Sequence, residues 1–367
     1  MSDPSPRSGI LDIAPYVGGV SALEGQKRII KLSSNENAFG PSPLAQAAYT
    51  QAAEDLHRYP DGDCTELRNA IADLNGLEAE RIVCGAGSDE IISLLCQAYA
   101  GPGDEVLYSQ HGFLMYPISA KAAGATPVFA LESDLTSDVD ALLEKVNENT
   151  RLLFLANPNN PTGTYLSGDE LWRLRRGLRD DIILVIDAAY AEYATRDDYS
   201  SGKDLVDGGG NVVMTRTFSK IYGLGGARLG WGYCPAGIAD VLNRIRGPFN
   251  VSTPAMEAGL AALGDCGFID KARAHNDTWL AWTREQVLAL GLETPPSAGN
   301  FILIKFLVKP GQNSAIADAA DAFLNSRGII VRRMAAYGLE DCLRITIGLE
   351  NEMRAAVGAL KEFLEQA

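Results

Sequence analysis

Between Thr215 and Trp231 the chain reads TRTFSKIYGLGGARLGW, which sets one lysine among hydroxyls and glycines with arginines close by. A primary amine beside anion-holding side chains can act as a nucleophile on a carbonyl, so Lys220 is read as the residue that holds an aldehyde cofactor as a Schiff base. Upstream, Asp187 closes the apolar run IILVI and Tyr190 follows it. A carboxylate there is costly to bury unless it is paired. NPNNPTG begins at Asn157, straight after RLLFLA, and GAGSDE follows RIVC. That glycine turn lacks the third glycine of a dinucleotide fingerprint and the GK[ST] of a P-loop. Each piece alone has an ordinary explanation. Lys220 suits a solvated surface, Asp187 a cap, Asn157 an Asx turn before Pro158, Arg228 an ion pair, and Tyr16, Tyr59 and Phe113 packing. Their order on successive strands argues for a site.

Elements must position these residues. RIVCGAGSDEIISLLCQAYAGPGDEVLYS reads strand, glycine turn, helix, turn, strand, with Ser88 as N-cap and GPG stopping the helix near Ala100. Thr65 is predicted to cap a helix reaching Leu74. Strands at Thr126–Phe129, RLLFLA, IILVI and VVMT alternate with helices over Val139–Asn147 and Ser167–Leu178. Apolar strands alternating with helices predict a parallel sheet covered on both faces. After about Pro254 helices come first, then NFILIKF, GIIVRR and LRITIG as short strands, with a helix over Ala315–Ser326. The expected architecture is α/β. An N-terminal arm, 1–35, packs with the small domain or a partner subunit; a large domain, 36–253, carries a mostly parallel sheet; a smaller α+β domain covers 254–367.

Ligands of open α/β sheets bind beyond the carboxyl ends of the strands, which brings these polar groups to one edge. Pyridoxal phosphate would use all of them. Gly87, Ser88 and Asp89 offer a helix N-terminus to the phosphate, and Thr217, Ser219 and Arg228 add hydroxyls and charge. Lys220 takes the aldehyde, and Asp187 keeps the ring nitrogen protonated. Asn157 and Tyr190 reach the phenolate oxygen, and Phe113 stacks on the ring.

The bulk composition excludes other classes. The 367 residues carry a net charge of −15, which opposes nucleic-acid or anionic-membrane binding. Six scattered cysteines without CxxC, and no signal peptide or bilayer-length apolar run, predict a cytoplasmic chain with reduced thiols. The three histidines share no ligand spacing, and no GxSxG elbow occurs, so neither a metal site nor a serine hydrolase is expected.

With NPNNPTG, DAAYAEY and TFSKIYGLGGARLG in place, the chain resembles the fold-type I aminotransferases that depend on pyridoxal phosphate. SSNENAFGPSP, the RYPD element at Arg58–Asp61, GAGSDE and LRITIG make it similar, over nearly its whole length, to the histidinol-phosphate aminotransferase family. The resemblance implies amino transfer between L-histidinol phosphate and 2-oxoglutarate, yielding glutamate, in histidine biosynthesis. It leaves open a phenylalanine or tyrosine aminotransferase and, in a different reaction class, a decarboxylase of a phosphorylated amino acid. By position it implies Tyr16, Asn35, Arg332 and Arg344 as substrate-binding residues, with Arg333 a rival to Arg332. It also implies that Tyr59 reaches the cofactor phosphate of a neighbouring subunit, hence a homodimer with shared sites.

Overall fold

The computed structural model describes residues 4–16, 18–23, 29–307 and 316–366. The strands are β1 (Ile30–Lys31), β2 (Ile82–Gly85), β3 (Glu105–Ser109), β4 (Thr126–Ala130), β5 (Glu132–Ser133), β6 (Thr136–Ser137), β7 (Thr150–Ala156), β8 (Ile183–Asp187), β9 (Val212–Thr217), β10 (Gly230–Tyr233), β11 (Phe301–Lys305), β12 (Ile329–Ile330), β13 (Arg332–Arg333) and β14 (Cys342–Thr346). The α-helices are α1 (Pro43–Ala52), α2 (Thr65–Asn75), α3 (Ser88–Tyr99), α4 (Met115–Ala123), α5 (Val139–Lys145), α6 (Gly168–Gly177), α7 (Lys203–Asp207), α8 (Ala236–Ile245), α9 (Thr253–Gly264), α10 (Cys266–Ala289), α11 (Ile316–Ser326) and α12 (Glu350–Gln366).

Seven strands form the main sheet in the order β2-β10-β9-β8-β7-β3-β4, parallel except for β10, which runs antiparallel to both neighbours. Both faces are buried, which is why the strands read as unbroken apolar runs. Along β8, Ile183 and Val185 pack with Ile91 of α3 and Leu242 of α8, while Leu184 and Ile186 join the core on the opposite face. The smaller unit has an antiparallel sheet, β11-β14-β13, whose Ile302, Ile304 and Ile345 meet Leu324, Met353 and Leu360 of the covering helices.

The structure shifts several boundaries. Thr65 opens α2 rather than capping it, because the Asp61 carboxylate takes the Thr65 N–H at 2.8 Å from outside the helix. Gly87 caps α3 in place of Ser88, at φ 88°, where a side chain would be strained. The division expected at 253/254 does not separate the cores. Helix α9 packs Ala255, Met256 and Ala258 into the large core, and α10 runs from that core at Ala272 to the small one at Trp279 and Val287. The arm splits its loyalties. Arg7 Nη2 donates to Ala122 O (2.6 Å) and Lys121 Nζ to Asp12 O (3.2 Å), both on α4, whereas β1 pairs in parallel with β12 of the small unit. Residues 1–3, 17 and 24–28 of the arm, and 308–315 and 367 of the small unit, including the expected helix start Ala315, lie outside the described residues.

Candidate active site

The carboxyl ends of β7, β8 and β9, the first turn of α3 and the small-unit strands enclose a cavity of about 290 Å³. Asp187, Tyr190, Lys220 and Phe113 line it. Lys220 is half-buried, and its Nζ stands 5.6 Å from the centroid of the Tyr190 ring.

Asp187 sits almost wholly buried at the end of β8. Tyr116 O–H donates to its Oδ2 at 2.8 Å and Thr215 O–H to its Oδ1 at 3.1 Å. Both donors are neutral, and no described cation forms an ion pair with it. Burial therefore pushes the carboxyl up to about 6, against the pull of the two hydrogen bonds and of Lys220, with Asp89 adding to the rise. A buried acid held by two donors but lacking a described counter-charge has the chemistry to seat a protonated ligand nitrogen. Neither Tyr116 nor Thr215 stands out in the sequence, where they read as an aromatic in a helix and a residue of an apolar strand.

A second corner gathers groups suited to an anion. Gly87 caps α3 and Ser88 and Asp89 begin it, which turns a helix N-terminus toward the cavity. Thr217 O–H donates to Ser219 Oγ at 3.0 Å, and Arg228 Nη2 donates to Asp89 Oδ2 at 3.0 Å. Strand β10 joins the two halves, since Gly230 lies opposite Gly85 on one side and Thr217 on the other. A Cβ on Gly230 would meet Ser88 N at 2.3 Å and Gly87 C at 2.5 Å, both backbone atoms. Gly230→Ala is therefore expected to cost about 3 kcal/mol or more, since overpacked backbone cannot yield cheaply. Chemical denaturation of the apoprotein checks the loss, and phosphate affinity should fall with it.

The small unit supplies a third group. Arg344 is buried on β14, donating from Nη1 to Asn160 Oδ1 and from Nη2 to Ser33 O at 2.9 Å, with Nε unpartnered. Burial pulls its pKa down, and no described carboxylate pairs with it. Arg332 faces it across the β13–β14 pair and lines the cavity, whereas Arg333 is paired with Asp318 of α11. Asn35 Nδ2 donates to Tyr190 Oη at 2.8 Å, and its own N–H donates to Thr346 Oγ1 at 2.9 Å, so the loop after β1 is tied to both units. Tyr16 and Tyr337 also line the cavity.

One expected residue is displaced. Asn157 is fully buried and does not line the cavity: its Nδ2 donates to Leu166 O (3.1 Å), and its Oδ1 accepts from Leu166 N (2.7 Å). It staples the loop that carries Asn160, and it is Asn160 that reaches the cavity. The sequence offers three asparagines in NPNNPTG and no period to choose among them. Tyr59 is also absent from this cavity. It is 83% exposed and stacks on Phe249 with centroids 4.8 Å apart.

The family model for aminotransferase class I and II matches residues 27–360. The chain belongs to that family. A histidinol-phosphate aminotransferase of Paramagnetospirillum magneticum is 61% identical over 99% of both chains, and one of Rhodospirillum rubrum is 58% identical over 98% of this chain and 97% of its own. Among solved structures, the histidinol-phosphate aminotransferase of Sinorhizobium meliloti, in complex with pyridoxal-5'-phosphate, superposes with a TM-score of 0.90 at 31% identity, covering 100% of this chain and 99% of its own. The aminotransferase fold is thus fold-type I, and the expected mostly parallel α/β sheet is what the chain forms.

The aminotransferase cavity fits pyridoxal phosphate on its own chemistry. The uncompensated Asp187 suits a protonated ring nitrogen, the α3 corner with Arg228 suits a phosphate, and the Lys220 amine suits an aldehyde. Phe113 supplies an aromatic wall, set edge-to-face on Tyr116 at 5.9 Å.

Proposed function

We propose that this aminotransferase passes the amino group of L-histidinol phosphate to 2-oxoglutarate, forming imidazole acetol phosphate and glutamate in histidine biosynthesis. The observation that carries the reading is Arg344, a buried guanidinium with no carboxylate partner among the described residues, facing Arg332 across the strand pair. The cavity thus has an anion seat on the small unit in addition to the one at Gly87–Arg228. Both substrates carry an anion close to the reacting carbon, a phosphate ester on the neighbouring carbon of L-histidinol phosphate and a carboxylate on 2-oxoglutarate. A planar guanidinium serves either.

Pyridoxal 5'-phosphate, when bound, supplies the electrophilic carbonyl and the electron-accepting ring. The chain does the rest. Gly87, Ser88, Thr217, Ser219 and Arg228 hold the phosphate. Asp187 keeps the ring nitrogen protonated by its negative charge. Tyr190, oriented by Asn35, and Asn160, oriented by Arg344, address the phenolate oxygen. Lys220 Nζ takes the proton from the amine-bearing carbon of the donor and, as its conjugate acid, gives one back. Arg332, Arg344 and Tyr16 hold the donor's anionic end.

The reading includes a homodimer. Tyr59, Leu56 and Phe249 form an exposed apolar face, and Tyr59 there serves the cofactor phosphate of the neighbouring subunit. It also includes the cytoplasm, in keeping with the acidic chain and with the finding that no described helix is long and apolar enough to cross a membrane.

The visible spectrum of the purified holoenzyme tests the reaction. L-histidinol phosphate should bleach the cofactor band at far lower concentration than L-phenylalanine, and 2-oxoglutarate should restore it. Equal response to phenylalanine would replace the substrate reading by an aromatic one. No band after addition of pyridoxal phosphate would remove the role given to Lys220.

A further inference from the structure

We propose that Tyr116 is a positioning residue for Asp187, orienting and holding its carboxylate for the ring nitrogen of the cofactor. The inference rests on the cofactor reading above. Tyr116 lies in the first turn of α4 and is fully buried. Its ring stacks on Phe154 of β7, with centroids 4.8 Å apart and planes at 10°, and takes Phe113 edge-on at 5.9 Å. Walls on both sides fix where the phenol oxygen points, and it points at Asp187 Oδ2, 2.8 Å away. Tyr116 does not line the cavity, so it touches neither cofactor nor substrate and acts only through the carboxylate.

A charge-assisted hydrogen bond from a fixed donor does two things here. It sets the plane of the carboxylate, with Thr215 holding the other oxygen at 3.1 Å, and it favours the ionised form in a place where burial favours the neutral one. The groups acting on Asp187 are Tyr116 of α4, Thr215 of β9, Lys220 beyond β9, Asp89 of α3, and Tyr199, whose phenol donates to Asn157 O. Lys220 alone among these is a cation, and it is committed to the aldehyde once the cofactor is bound. Burial and the neighbouring Asp187 charge push the Tyr116 phenol well above its ordinary value, so it remains a donor at every working pH.

The test uses Tyr116→Phe, which keeps the ring and its stack. Apoprotein is titrated with pyridoxal phosphate from pH 5 to 8.5, and affinity is read from quenching of tryptophan fluorescence. The cofactor's own ionisations are common to both proteins and cancel in the comparison. In the wild type Asp187 protonates at about 6, so affinity should fall below that pH. Without the donor the carboxyl becomes more basic. The acid limb of the affinity profile should move up by about one pH unit, so the dissociation constant should rise about tenfold near pH 5 but only about twofold at pH 7. A limb that stays in place overturns the proposal, even if affinity drops evenly at all pH values, because that is what lost packing alone would do. Wild-type apoprotein that fails to bind pyridoxal phosphate at any pH removes the cofactor reading and this inference together.

Discussion

Lys220→Ala is expected to abolish steady turnover while leaving the fold and some cofactor affinity intact. In the proposed reaction the amine has two tasks, to hold the aldehyde and to move the proton, and each is separately costly to lose. A positioned general base alone is worth about 10²–10⁴-fold, and loss of the nucleophile adds to that. The fold should survive because the half-buried side chain faces the cavity rather than a core. The phosphate corner and Asp187 are untouched, so cofactor still binds, without the covalent link. Single-turnover rates and borohydride trapping check both halves. Undiminished turnover would remove Lys220 from the chemistry.

Asp187→Asn separates chemistry from folding more sharply. Asparagine keeps the shape and one acceptor oxygen but cannot balance a protonated ring. The rate should drop by several orders of magnitude, because the electron sink works only while its nitrogen is protonated. Stability should move the other way. Asp187 has its carboxyl raised to about 6 from 3.8 in the folded apoprotein. A raised acid favours the folded state fully below about pH 4, and that contribution is lost as pH rises to about 6. At pH 7 the ionised group thus costs up to about 3 kcal/mol, at roughly 1.4 kcal/mol per pH unit. The neutral variant should unfold no more easily than wild-type apoprotein at pH 7, and any advantage should vanish near pH 4. Thermal midpoints across that range check the sign. A normal rate with a much less stable fold would return Asp187 to a capping role.

That Lys220, Asp187 and the α3 turn line one cavity was legible because one rule, ligands beyond strand ends, needs only the strands to be recognised. The rule says nothing about which way a side chain turns once the strand has ended. Asn157 is the residue next to β7, yet its amide is spent on Leu166, and Asn160 enters the cavity only because the staple folds the loop over. Tyr116 was invisible for a different reason. Its partner lies 71 residues away, and in HGFLMY it is one more aromatic of an apolar stretch. The boundary at 253/254 misled because a change in element type was read as a change of core, whereas α9 remains packed in the large unit. The pairing of Arg333 with Asp318 could not be read either, because Asp318 sits on another element and leaves no trace in the spacing.

Strand β10 also has a consequence for the order in which the molecule assembles. In the finished sheet β2 is an edge strand whose hydrogen-bonded neighbour is β10, a strand far later in the chain. During synthesis β2 and the turn that opens α3 therefore emerge without a strand beside them, and they wait while the sheet from β3 to β9 is made. A nascent chain ending just short of Gly230 already contains Asp187 and Lys220 but has no closed corner for a phosphate, because Gly85 and Thr217 are brought together only by Gly230. On the proposed reading, capture of the cofactor by its phosphate marks completion of the main sheet, and the ligand stabilises only chains that have inserted β10.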